Sequence, residues 1–293
     1  VSAPVALAPG WSFLPLRSPT LAPATHTNAA LLGQGAVVVV DPGSAWEDAL
    51  ASLWAALEAR LAQGERLLGA ALTHHHPDHC AGVEALAAWW FARAGAPLTV
   101  WAHPETLALT PAWPHTQPAA LGEGDRLPLE GQDVEALWTP GHAPGHLALW
   151  EAAQGALCAG DLVASTGTII VNPPRGDMGA YLRSLRRALA LPGLRLLLPA
   201  HGAPLRGDDA VAVLERTLAH RLAREALVLA ALTEAPQAVE ALLPTAYPEL
   251  APSLYPLAAR SLLAHLLHLE GEGAAAREGE RWRSAPPPGP PNT

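Results

Sequence analysis

The order of apolar and polar positions changes period along this chain, and each change marks an element. Residues 28–45, NAALLGQGAVVVVDPGSA, predict an apolar strand, a glycine-containing turn, a second strand of four valines and an Asp-Pro-Gly turn at Asp41. In AWEDALASLWAALEARLAQG the residues Leu50, Leu53, Trp54, Leu57 and Leu61 recur at the spacing of one helical face, and Gly64 ends the helix. RLLGAALT, residues 66–73, is short and apolar, as a buried strand requires. CAGVEALAAWWFARAG then predicts a helix and PLTVWAH another strand. Strand, helix, strand in alternation predicts an α/β layered domain, in which ligands collect on loops at strand ends.

Further along, DVEALWTPGHAPGHLALWEAAQGALCAGD contains three strand candidates separated by Gly/Pro turns. DMGAYLRSLRRALAL predicts a helix and LRLLLPAHG a strand. After GAPLRGDD the pattern becomes almost purely helical, in AVAVLERTLAHRLAREALVLAAL, QAVEALLPTAY and LYPLAARSLLAHLLHLEGEG. AAAREGERWRSA reads as a hairpin-like segment, and PPPGPPNT as a disordered tail. The expected organisation is a layered domain over residues 1–205, a small helical domain over 206–285 and a tail at 286–293.

Composition narrows the classes of function. A chain of 293 residues, 50% hydrophobic and 15% charged, has room for one large core and a satellite domain. The net charge of -9 provides no global positive field for nucleic acid or anionic lipid, so an RNA substrate would need a local basic patch. Residues 206–293, with eight arginines against eleven acids, do not form one. Cys80 and Cys158 are too few for a disulfide framework and are expected as buried free thiols. No segment reaches the roughly 18 uninterrupted apolar residues of a membrane span, and no basic n-region opens the chain, so a cytoplasmic protein without membrane association is expected.

The chemistry concentrates in ALTHHHPDHC, residues 71–80. His74 and His76 alternate on a chain leaving a strand, so both can reach one cation. Asp78 and His79 follow where the chain turns into a helix and can face a second position. Imidazole–carboxylate sets of this kind suit Zn²⁺, with Mn²⁺ or Fe²⁺ as alternative occupants. His142 in TPGHAPGH, Asp161 in CAGDLV and His201 in PAHGAPL each follow or end a strand candidate, which delivers them to the same rim.

This ordered set resembles the metallo-β-lactamase superfamily over about residues 28–205. The resemblance implies a four-layer αβ/βα sandwich and two metal ions. One would be held by His74, His76 and His142, the other by Asp78, His79 and His201, with Asp161 bridging. A hydroxide shared by the pair would be the nucleophile, with Asp78 and His79 as the catalytic pair beside it. Asp41 and His146 would orient the ligands without binding metal. Asp161 makes the site resemble the glyoxalase II, phosphodiesterase and ribonuclease branches. GTIIVNPPRGDMGAYLRSLRRAL followed by PAHGAPL, and then AHRLAREALVLAAL leading into C-terminal helices, resembles the lactamase-β-like-2 group, which includes a single-stranded RNA endoribonuclease and carries a winged-helix-like C-terminal domain. The substrate partner expected first is RNA, with Arg183, Arg186 and Arg187 as a phosphate track. The alternative is a thioesterase or glyoxalase II-like hydrolase of acyl thioesters. No obligate protein partner is implied.

Overall fold

The computed structural model describes residues 2–285; the tail expected at 286–293 lies outside the described residues. A first sheet is built from β1 (Val5–Ala8), β2 (Trp11–Arg17), β3 (His26–Leu32), β4 (Ala36–Val40), β5 (Arg66–Ala71), β6 (Leu98–Ala102) and β7 (Thr116–Ala120), hydrogen-bonded in sequence order. Its first half is antiparallel, and β4 to β7 run parallel because α1 (Glu47–Ala62), then α2 (Pro77–Cys80) with α3 (Val83–Ala94), and then α4 (Pro104–Leu109) connect them. A second sheet has the order β12 (Leu205–Arg206), β11 (Leu196–Pro199), β10 (Ala156–Gly160), β9 (Leu147–Glu151), β8 (Val134–Trp138). The crossover α5 (Met178–Leu189) makes β10 and β11 parallel.

The run of four valines is apolar throughout because both faces of β4 are covered. Val37 and Val39 pack with Leu53 and Leu57 of α1 and Leu86 of α3, while Val38 and Val40 join the layer between the sheets. That middle layer also takes Leu147 and Leu149 of β9, Cys158 of β10 and Leu198 of β11. On the far side of the second sheet, Leu157 and Leu197 pack with Tyr181 and Leu185 of α5. Helix, sheet, sheet, helix is the four-layer αβ/βα arrangement expected from the motifs. The adjacent Trp89 and Trp90, which no single helical stripe can bury, are both only partly buried; Trp89 stacks on Trp54 of α1, ring centroids 5.3 Å apart. Cys80 and Cys158 are free and buried, and burial pushes their thiols up to about 11 and about 12.

After β12 the chain enters α6 (Asp208–Ala231), α7 (Val239–Ala246), α8 (Tyr255–Gly271) and the hairpin of β13 (Ala275–Glu278) and β14 (Arg281–Ser284). The first half of α6 still belongs to the layered domain, since Ala210, Val213 and Leu214 pack with α5. Its end joins a separate core in which Val228, Leu242, Leu262, Leu266 and Trp282 meet. This helices-plus-hairpin unit is a winged-helix domain. Among the described residues no helix is long and apolar enough to cross a membrane.

Candidate metal centre

Strand ends gather the candidate ligands. Asp41 follows β4; His74 and His76 follow β5, and Asp78 and His79 lie in α2; Asp161 follows β10 and His201 follows β11. Each pair of parallel neighbours finishes at the same edge, so these residues converge without any long loop. His142 comes from the turn between β8 and β9. Two glycines permit the close approach. A Cβ on Gly43 would sit 1.8 Å from the Asp78 carbonyl oxygen, and Gly160, at φ +51°, would bring one within 2.7 Å of His146 Nε2.

Hydrogen bonds on the far side of each ring decide which nitrogen faces the centre. The Asp41 carboxylate accepts from the Thr73 backbone N–H (2.8 Å), the Thr73 hydroxyl (2.7 Å) and His79 Nδ1 (2.8 Å). The Thr73 proton being spent on Asp41, its Oγ1 accepts from His74 Nδ1 at 3.0 Å. His142 Nδ1 donates to the Ile170 carbonyl (2.7 Å) and His201 Nδ1 to the His26 carbonyl (3.1 Å). The Nε2 atoms of His74, His79, His142 and His201 are therefore the ones aimed inward. His146 is oriented differently: its Nε2 accepts from the Asp161 backbone N–H at 2.9 Å, so its Nδ1 donates to Thr139 Oγ1 at 2.8 Å. It holds the backbone of Asp161 and offers no free lone pair.

The inward atoms form two groups. His74 Nε2, His76 Nδ1 and His142 Nε2 lie 2.9–3.2 Å from one another. Asp78 Oδ2, His79 Nε2 and His201 Nε2 form the other group, with Asp78 Oδ2 3.4 Å from His201 and 3.9 Å from His79. Asp161 stands between them, Oδ2 at 3.3 Å from His142 Nε2 and Oδ1 at 3.3 Å from His201 Nε2. Ligands at about 2.0–2.1 Å from one cation and about 90–110° apart would be separated by roughly 2.8–3.4 Å. The first group, the Asp78–His201 pair and both Asp161 contacts fall in that range and Asp78–His79 is wider; the groups suit two divalent ions. His79 Nε2 and Asp161 Oδ1, both buried, make no hydrogen bond at all, which is costly unless a cation is their partner.

The electrostatics agree. Burial, helped by the neighbouring imidazoles, keeps His74 well below the ordinary histidine value, takes His76 down to about 2 and His146 to about 3. Burial acts the same way on His79 and His201, but the carboxylates outweigh it: Asp161, Asp41 and Asp78 raise His79 well above its ordinary value, and Asp161 raises His201. Burial pushes Asp161 up, yet His79, His201 and His142 together hold it well below the usual carboxylate range.

A cavity of about 870 Å³ opens over these groups. His76, Asp78, His142, Asp161 and His201 line one part of it, and Leu21, Leu109, Ile169, Ile170 and Leu257 supply apolar wall. His75, the histidine of the cluster outside both groups, also reaches the cavity, and burial takes it down to about 4. The expected phosphate track needs correction, because Arg183, Arg186 and Arg187 do not line this cavity. Arg187 is instead turned to Glu123 and the Trp138 carbonyl, and Arg183 and Arg186 lie exposed on α5. The arginines at the cavity are Arg175 and Arg260. Arg260 and Leu257 come from α8, far along the chain, and only the docking of the C-terminal domain brings them in; no spacing in the sequence signals that.

Comparison with known proteins places this geometry. The family model described as the Metallo-beta-lactamase superfamily matches residues 22–201, and that of the Beta-lactamase associated winged helix domain matches residues 238–282. An atrochrysone carboxyl ACP thioesterase of Aspergillus fumigatus is 31% identical over 210 residues, which cover 70% of this chain and 59% of that protein. A hydroxyacylglutathione hydrolase of Dechloromonas aromatica is 37% identical over 165 residues, 56% of this chain and 52% of that protein. The chain thus spans little more than half the length of these curated relatives. Among solved structures, a metallo-beta-lactamase family protein of Thermus thermophilus superposes with a TM-score of 0.71 at 30% identity, covering 95% of this chain and 100% of that one.

Proposed function

This chain belongs to the metallo-beta-lactamase superfamily, and from that premise we propose that it is a two-metal hydrolase of acyl thioesters. The observation that carries the reading is the pair of three-ligand groups joined by Asp161 at one end of a cavity with apolar wall. His74, His76 and His142 would hold one ion and Asp78, His79 and His201 the other, Zn²⁺ first and Mn²⁺ or Fe²⁺ as substitutes. When bound, two such cations supply Lewis-acid polarisation of the carbonyl and make a nucleophile available at neutral pH.

The chain's own residues do the remaining work. Asp41, Thr73 and the Ile170 carbonyl keep the imidazole lone pairs aimed at the centre, and His146 fixes Asp161 through its backbone. Water adds to the thioester carbonyl, a C–O bond forms and the C–S bond breaks. Asp78, whose side chain is 14% exposed and lines the cavity, is the carboxylate placed to take up the water proton. A thiol leaving group, with a pKa of about 8.5, departs as thiolate without a strong acid beside it. Leu21, Leu109 and Leu257 suit the acyl chain, and α8 gives the C-terminal domain a part in choosing it.

The thioester class draws support from the relatives named as a thioesterase and a hydroxyacylglutathione hydrolase. The endoribonuclease reading has less to rest on, since the α5 arginines point elsewhere and only Arg175 and Arg260 face the cavity. The test is a side-by-side assay of zinc- and manganese-loaded protein on acyl thioesters and on a fluorescent single-stranded RNA, with Asp161→Ala as control. Thioester turnover lost in the control is expected. RNA cleavage that weakens steeply with salt, without thioester turnover, would overturn the substrate assignment.

A further inference from the structure

Helix α6 turns Arg216, Thr217, His220 and Arg221 toward the segment 164–169, at the three- and four-residue spacings that share a helical face. With Ser165 and Thr168 these side chains line a second cavity of about 410 Å³, and no aspartate or glutamate lines it. In a chain of net charge -9 such a wall is out of keeping with the surface as a whole.

Arg221 is the unusual member, being 4% exposed. Its Nη2 donates to neutral acceptors only, Thr168 Oγ1 at 3.2 Å and the Ile169 carbonyl, and its buried Nε has no partner. The ring of Tyr181 lies 5.6 Å from its guanidinium carbon, and among the described residues no carboxylate pairs with it. Arg224, three residues on and also buried, has Glu249 as its counter-ion. A buried guanidinium without a counter-ion is unfavourable unless an anion from outside completes it. Arg216 has no ion-pair partner among the described residues either, and Thr168 Oγ1, accepting from Arg221, still has its own proton to donate.

We propose that this second cavity binds a phosphate-class anion, with Arg216, His220 and Arg221 as cationic or ring N–H donors and the Thr168 hydroxyl as a neutral one. Forked guanidinium groups match phosphate oxygens in pairs. The site is separate from the metal centre, but the two cavities share Ala164, Gly167, Thr168 and Ile169, so the anion would sit behind the wall of the first. Its source is either free inorganic phosphate or the phosphate of a substrate arm such as a phosphopantetheine thioester. Only the second source depends on the thioesterase reading.

The test is calorimetric titration of the metal-loaded full chain with inorganic phosphate, wild type against the double variant Arg216→Ser/His220→Gln. Arg221 is left intact, because it anchors the segment whose Ile170 carbonyl orients His142. A phosphate-binding event weakened by about tenfold or more in the variant, with metal content unchanged, is expected for the loss of charge-assisted bonds. Identical titrations would overturn the site, whatever the enzyme hydrolyses. The sources then separate on two thioesters of one acyl group. A rise in KM for the phosphopantetheine thioester but not for the N-acetylcysteamine one assigns the anion to the substrate. Unchanged KM for both, with phosphate binding lost, assigns the site to the free anion.

Discussion

Replacing Asp41 by Asn isolates the group that aims His79. The backbone there has φ 50°, which Asn tolerates as well as Asp, so the turn should persist. Three donors converge on the carboxylate: the Thr73 N–H, the Thr73 hydroxyl and His79 Nδ1. An amide cannot serve them all. If its oxygen keeps the Thr73 N–H, its NH₂ meets His79 Nδ1, which must then accept, and the ring proton moves to Nε2 and points into the metal position. If the amide flips, the buried Thr73 N–H faces a donor and costs about 1–3 kcal/mol. Loss of such a supporting bond typically weakens metal binding by about 10–100-fold, or roughly 1.4–2.8 kcal/mol. The loss should fall on the ion held by Asp78, His79 and His201, with the site of His74, His76 and His142 affected less. Calorimetric zinc titration of chelator-stripped Asp41→Asn should therefore split into two unequal steps. Two steps within about twofold of wild type would refute the claim that Asp41 fixes the tautomer of His79.

Other predictions rest on separate parts of the structure. His79 and His201 are raised above the ordinary imidazole value, so the metal-free protein holds protons there to higher pH than a free imidazole does, and metal entry must expel them; proton release in weakly buffered solution and tighter zinc binding as pH rises are expected, and pH-independent affinity would contradict it. The same shifts bear on the stability of the metal-free chain. His74, His76 and His146, held neutral, cost stability as pH falls below about 6.5, whereas raised His79 and His201 lose their contribution as pH climbs above it, so the Tm of the stripped protein should peak near there. Leu257→Ala should raise KM for long acyl thioesters by about fivefold, from roughly 1 kcal/mol for half of a leucine's burial, and leave short ones unchanged. Trp282→Ala removes a ring that is 1% exposed and should cost about 3–5 kcal/mol by denaturant titration, loosening the domain that carries Arg260.

The layered fold and the converging ligands were legible because both are local. A strand end followed by His or Asp states in a few residues what β5, β10 and β11 deliver in space. The N-terminal strands were not, since Pro15 interrupts the apolar pattern of β2; it is tolerated because β1 pairs only as far as Phe13. Strand β7 hides Pro118 in the same way, on the edge of the sheet. The substrate side of the site was least legible. Arg183, Arg186 and Arg187 cluster in sequence on α5 but not at the cavity, while Arg260 reaches it by tertiary docking that no period or motif encodes.

Zinc titration of the stripped chain, with thioester hydrolysis recorded at each addition, tests the central claim most directly. Two ions held by the two groups and bridged by Asp161 require activity to rise until two equivalents are bound, and Asp161→Ala to stay inactive throughout. Full activity at one equivalent, or in the Asp161→Ala protein, would contradict it.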